Sequence, residues 1–106
     1  MHPTIKQVLG DIRQSLERLY GNKLARVVLF GSQARGDARE DSDVDVLVVL
    51  RGEIDYAEEV DRMLDEEIRL SERSGRFISF IPVSENRYAD GLHPLMMNVH
   101  REGLEV

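Results

Sequence analysis

Two aspartates one residue apart, Asp43 and Asp45, stand at the entry to the apolar run from Val44 to Leu50. Side chains alternate along a strand, so both carboxylates point to one side while Val44, Val46 and Val48 point to the other. Strand rise places the two Cα atoms roughly 6.5–7 Å apart, close enough for their oxygens to converge on one ion or to bridge two. Left alone, the like charges repel, and in a partly buried place that repulsion costs stability. A hard divalent cation such as Mg²⁺ resolves the conflict, because it prefers carboxylate and phosphate oxygens. An Asp-x-Asp by itself is a weak signal.

Upstream, Gly31-Ser32 follows the short β-branched and apolar run Arg26 to Phe30, with ten residues between Ser32 and Asp43. A glycine directly after a buried strand lets the backbone turn sharply and approach a ligand closely. The amides that follow, together with the Ser32 hydroxyl, can then receive phosphate oxygens, particularly if Gln33-Ala34 opens a helical turn. Ser32 suits a helix N-cap equally well. Arg35 and Arg39 can add positive charge to a triphosphate, or can pair at the surface with Asp37, Glu40 and Asp41.

Taken together, Gly-Ser, ten residues, then Asp-x-Asp entering a hydrophobic strand resembles the signature of the minimal nucleotidyltransferases of the DNA polymerase β-like superfamily. The likeness is strongest from Leu29 to Val49, including Ala34 to Arg39 and Asp41-Ser42. It implies a nucleotidyltransferase fold and transfer of a nucleoside monophosphate, with AMP from ATP as the expected donor, to a hydroxyl acceptor. It also implies that Gly31, Ser32 and Arg35 hold the triphosphate and that Asp43 and Asp45 are catalytic metal ligands for Mg²⁺. The metals' part in such an in-line displacement is to stabilise the attacking and departing oxygens. A third carboxylate on a later strand usually completes such a site. Here Ser79 occupies that inward slot in Phe77 to Ile81, and Glu85 lies just past the strand. The resemblance extends to antitoxins that bind a helical HEPN-type toxin, so an interaction module is the alternative to an enzyme. A separate protein as partner or acceptor fits the absence of a larger substrate-binding domain.

The elements that must position these residues follow from periodicity. Ile5, Val8, Leu9, Ile12, Leu16 and Leu19 recur at three and four, which predicts a helix from Pro3 to Tyr20 stopped by Gly21-Asn22. A second helix is expected from Ile54 to Ser71 with Ile54, Ala57, Val60, Met63, Leu64, Ile68 and Leu70 inward. Its acidic residues Glu58, Glu59, Asp61 and Asp65 to Glu67 would then form a solvated face. Arg76 to Val83 reads as a strand that Pro82 places at an edge or an end. His93 to Arg101 reads as a third helix with Pro94 in its first turn, and Leu104 to Val106 as a short last strand. The fold class is α/β (α+β): one domain over 1–106, a small mixed sheet with helices packed on one face.

Other chemistries are poorly served. The chain contains no cysteine, which excludes disulfides and thiolate metal sites. An EF-hand counted from Asp41 would need glycine and glutamate where Val46 and Gly52 stand, and no Gly-Lys-Ser/Thr follows Gly31 as a Walker A loop requires. His2, His93 and His100 lack metal-ligand spacing. A net charge of −6 disfavours generic nucleic-acid binding. With no signal layout at Met1 to Thr4 and no membrane-length apolar run, the expected location is the cytoplasm. Leu92, Leu95, Met96 and Met97 pack into the core or form a subunit contact in a homo-oligomer.

Overall fold

The computed structural model describes residues 4–36 and 42–106. Helix α1 spans Ile5–Tyr20, β1 Leu24–Phe30, α2 Ser32–Arg35 and β2 Val44–Leu50. They are followed by α3 (Tyr56–Ser74), β3 (Ile78–Ser84), α4 (Glu85–Tyr88), α5 (Pro94–Glu102) and β4 (Leu104–Glu105). The sheet order is β3-β2-β1-β4, with β1 antiparallel to both β2 and β4 and β3 parallel to β2. Helix α3 makes the crossover that the parallel pair requires.

Local chemistry sets the helix ends. The first helix begins at Ile5 because Thr4 caps it: the Thr4 hydroxyl accepts the Gln7 amide while the Gln7 side chain accepts the Thr4 amide. Pro3, expected in the first turn, lies outside the described residues. Helix α3 starts two residues later than expected, because Asp55 accepts the Glu58 amide, and runs on to Gly75 in the left-handed conformation. Pro94 is the first residue of α5, as its fixed φ favours.

The sheet divides the core by strand parity. Val44, Val46, Val48 and Leu50 face α1 and α3, packing with Val8, Ile12, Leu16, Met63 and Leu70. Leu47 and Val49 face the opposite way, against Met96 and Val99 of α5 and Val83 of β3. The two long helices thus share one face as expected, and the shorter α5 partly covers the other. Met96 is buried in that second cluster and Leu95 packs against it, while Met97 and Leu92 are exposed, so the four residues Leu92, Leu95, Met96 and Met97 divide between core and surface.

The inward face of α3 matches the expected one only in part. Met63 and Leu70 are buried as expected and Ile54 and Val60 are half-buried, whereas Ala57, Leu64 and Ile68 are exposed and Glu59 and Ser74 are buried in addition. The acidic run is therefore not simply a solvated face. Glu59, 2% exposed, accepts a hydrogen bond from the Tyr20 hydroxyl at 2.8 Å and from Arg62 at 3.1 Å, with Lys23 3.9 Å away. Glu66 accepts the Ser15 hydroxyl at 2.5 Å and pairs with Arg69, which holds its carboxyl below the usual range. A buried carboxylate survives when hydrogen bonds and counter-charges surround it.

The same helix closes the outer edge of β3. The Val44 amide donates to the Phe77 carbonyl, so Phe77, Ser79, Ile81 and Val83 direct their backbone groups toward β2. Ile78, Phe80, Pro82 and Ser84 then direct theirs outward. The Ile78 amide donates to the Ser71 hydroxyl, the Phe80 backbone bonds Glu67, and Pro82 has no amide hydrogen. Pro82 sits on an edge strand, as expected, and the edge is protected against pairing with another strand.

The Tyr20–Glu59 bond yields a direct test. Tyr20→Phe removes the donor but keeps the ring, leaving a buried carboxylate short of one partner. We expect a loss of about 1–3 kcal/mol in urea unfolding. Tyr20→Phe combined with Glu59→Gln should recover part of that loss.

Candidate active site

Asp43 and Asp45 emerge on the face of the sheet opposite α1 and α3, since the intervening Val44 is wholly buried on the helix side. Asp43 is exposed just before β2, and Asp45 is half-buried as its second residue. Burial first, and the neighbouring Asp43 charge second, push the Asp45 carboxyl above the usual carboxylate range. The expected shared side and mutual repulsion are both present.

Gly31 meets this pair through the antiparallel register of β1 and β2, in which Phe30 lies opposite Asp45. The chain turns there with φ 75° and ψ −153°, a region that essentially only glycine occupies. A β-carbon at Gly31 would stand 2.7 Å from Asp45 Oδ2. The missing side chain therefore serves twice, permitting the turn and letting the backbone lie against the carboxylate.

Ser32 opens α2, and the N-cap is Gly31, which makes no side-chain capping bond. The alternative in which Ser32 itself caps the helix does not hold. The helix's own hydrogen bonds begin with the Arg35 amide to the Gly31 carbonyl, at 3.1 Å. The amides of Ser32, Gln33 and Ala34 precede that bond, as in the first turn of any helix. Gln33 clips α2 to the aspartate strand by donating to the Ser42 carbonyl at 3.3 Å. This positioning contact was not evident from the sequence, where Gln33 is one polar residue among many.

Arg35 is exposed at the end of α2, with its guanidinium 3.7 Å from Glu102 of α5. Its expected partners Asp37, Glu40 and Asp41, and Arg39 with them, lie outside the described residues. No local sequence pattern signals the pairing with Glu102, which comes from the far end of the chain.

Ser79 stands directly beside Asp45 in the β2–β3 register and, by parity with Ile81 and Val83, on the same face. The residue next to the aspartates is thus a hydroxyl, not a carboxylate. Glu85 begins α4 after Ser84, which pairs with Leu50 at the other end of β2 from Asp45. Five residues of strand rise, roughly 16 Å, separate those rows, so Glu85 does not replace the third acid. Among the described residues no group of three His, Cys, Asp or Glu side chains converges. His100 is occupied elsewhere, stacking on Tyr88 at 4.3 Å and contacting the Tyr88 carbonyl through Nε2 at 2.5 Å. No described helix is long and apolar enough to cross a membrane.

Two expectations follow. Gly31→Ala should cost at least about 1–3 kcal/mol in thermal or urea unfolding, because it adds backbone strain to a clash with Asp45. For Asp45 the sign is fixed by a folded-state pKa above the unfolded one: its contribution to stability is greatest in acid and is lost as pH rises through the folded value. Metal-free Asp45→Asn should therefore melt above the wild type at neutral pH, and the gap should close as both are acidified below the ordinary aspartate range.

The chain is similar to known proteins in sequence and in fold. The nucleotidyltransferase domain family matches residues 9–88. A candidate protein adenylyltransferase of Methanocaldococcus jannaschii is 30% identical over 100 residues, covering 94% of this chain and 91% of that one. A second candidate protein adenylyltransferase of the same organism is 43% identical over 47 residues, covering 44% of this chain and 48% of its own length. The chain therefore spans about half the length of that relative and nearly all of the other. A crystal structure of a toxin–antitoxin with AMP-PNP shares the fold at a TM-score of 0.64 and 22% identity, over 91% of this chain and 69% of that one. The match over most of its length, with Gly31-Ser32 and the aspartate pair within the matched segment, shows that the chain belongs to the nucleotidyltransferase domain family, a family of transferases.

Proposed function

We propose that the protein transfers AMP from ATP to a hydroxyl group, with a partner protein as the acceptor. The observation that carries this reading is the close approach of Asp45 to Gly31, where a β-carbon would stand 2.7 Å from Oδ2. It brings the glycine turn that opens α2 beside one carboxylate of the aspartate pair. The acceptor oxygen attacks the α-phosphorus, the bond from that phosphorus to the bridging oxygen of the β-phosphate breaks, and pyrophosphate departs as the hydroxyl proton is lost. Gly31, Ser32 and Arg35 hold the triphosphate in this scheme.

The donor set fits a divalent cation: two carboxylates, one half-buried and pushed upward by its neighbour, gain from a hard ion. Asp43 and Asp45 would hold Mg²⁺, which when bound supplies charge stabilisation for the transferred phosphoryl group. With Ser79 in place of a third carboxylate, the described residues offer a second ion less charge than the first. A protein acceptor is supported by the two relatives that carry the name of protein adenylyltransferases and by the toxin–antitoxin neighbour. Ser79 also supports a second reading, in which the protein is an antitoxin-like module that neutralises a HEPN-type partner by binding alone.

Calorimetry should show Mg²⁺-dependent ATP binding to the wild type, with Asp43→Asn weakened by on the order of a hundredfold. Labelled ATP should then mark a partner protein co-purified with the wild type and not with Asp43→Asn. If neither protein binds any nucleoside triphosphate, transfer is ruled out. Partner neutralisation that survives Asp43→Ala with Asp45→Ala would leave the binding module.

A further inference from the structure

A cavity of about 340 Å³ lies at the far end of β3 from the aspartates, between the second half of that strand, α4, the start of α5 and the residues Ile54 and Tyr56 that lead into α3. Ile81, Val83, Leu95 and Met96 line its apolar part. Arg87 and His93 are among its polar residues, and no carboxylate stands among the described residues that line it. In a protein of net charge −6, a cavity lined by a cation favours an anion over a second cation. The ion pairs formed by the described residues do not include Arg87, whose own amide is tied to the Ser84 hydroxyl at 3.2 Å. The Nδ1 of His93 is buried and has no hydrogen-bond partner, an arrangement that costs free energy.

The location gives the cavity a role. Ser79, Ile81 and Val83 share one face of β3, and Ser79 neighbours Asp45. Each two-residue step along the strand is roughly 6.5–7 Å, so the near edge of the cavity at Ile81 lies one step past the Ser79 row, and Ser84 and Arg87 lie at its far end, away from Gly31. The triphosphate end of the site lies on β1 and α2, on the other side of β2 from this cavity.

We propose that this cavity anchors the acceptor by taking an apolar body that carries a carboxylate, with Arg87 binding the carboxylate and the Ile81–Met96 wall taking the body. The guanidinium fork matches the two oxygens of a carboxylate, and a phosphate monoester with nearly twice the charge would leave more of it unmet. The assignment to the acceptor rests on the nucleotidyl-transfer reading above; the carboxylate site itself does not.

The test uses isocaproate and hydrocinnamate as probes, each against its uncharged amide, followed by the methyl NMR signals of Ile81 and Met96. We expect the acids to shift those signals and the amides to bind at least about tenfold more weakly. Arg87→Gln should weaken the acids to a similar degree, Arg87→Lys should restore part of the binding, and Asp43→Asn should bind them as the wild type does. Because Arg87 is exposed, both variants should keep the native methyl spectrum, which the same experiment verifies. Saturating Mg²⁺-ATP should leave the probes bound. Equal binding of acids and amides, or the absence of any methyl shift, would overturn the carboxylate site. Displacement of the probes by ATP would overturn the acceptor assignment by giving the cavity to the nucleotide. Loss of ATP binding with retained probe binding would point instead to failure of the nucleotidyl-transfer reading.

Discussion

The approach of the Asp45 carboxylate to Gly31, too close to admit a β-carbon there, is the constraint on which the active face depends. It exists because β1 and β2 are locked in a register that sets Phe30 opposite Asp45. That register is held from behind by alternating residues of β2 buried against α1 and α3. A slip of one residue would turn Val44, Val46 and Val48 toward the aspartates' side and send the carboxylates into the core. The hydrophobic pattern of one strand thus fixes both the fold and the direction of the chemistry.

That strand was also the most legible part of the sequence. Alternation from Asp43 to Val49 reveals a two-faced strand, and glycine after an apolar run reveals a tight turn. Both are local signals, and both place their residues where the structure has them. Helix α3 was less legible because its inward face is partly polar. Hydrophobic periodicity found Met63 and Leu70 but also favoured Leu64 and Ile68, which are exposed, and missed Glu59, which is buried and held by Tyr20, 39 positions earlier in the chain. A carboxylate can be buried only if a partner arrives from elsewhere, and no window of local sequence shows that partner. The pairing of Arg35 with Glu102 and the placement of α5 over the second face are hidden for the same reason.

The polar face of α3 has an architectural consequence. A four-stranded sheet that ended in an open β3 would present a row of unpaired amides. Here Ser71 and Glu67 occupy two of them and Pro82 removes a third. Burial pushes the Glu67 carboxyl upward, against the hydrogen bond from Phe80 that favours its charged form. The helix therefore uses carboxylates and a hydroxyl where an ordinary amphipathic helix would use leucines, and its apolar residues Leu64 and Ile68 are left facing outward.

Asp43 and Asp45 have no such structural employment. Glu59 and Glu66 are each met by a hydroxyl donor and an arginine, whereas Asp45 is affected chiefly by desolvation and by a second negative charge. An asparagine there would avoid both costs without disturbing the valines behind it. Asp45, held beside a glycine whose missing β-carbon makes the approach possible, carries a cost of burial and like charge that a bound cation would offset. In the proposed function, such a cation would turn the repulsion between the carboxylates into shared attraction for a common charge.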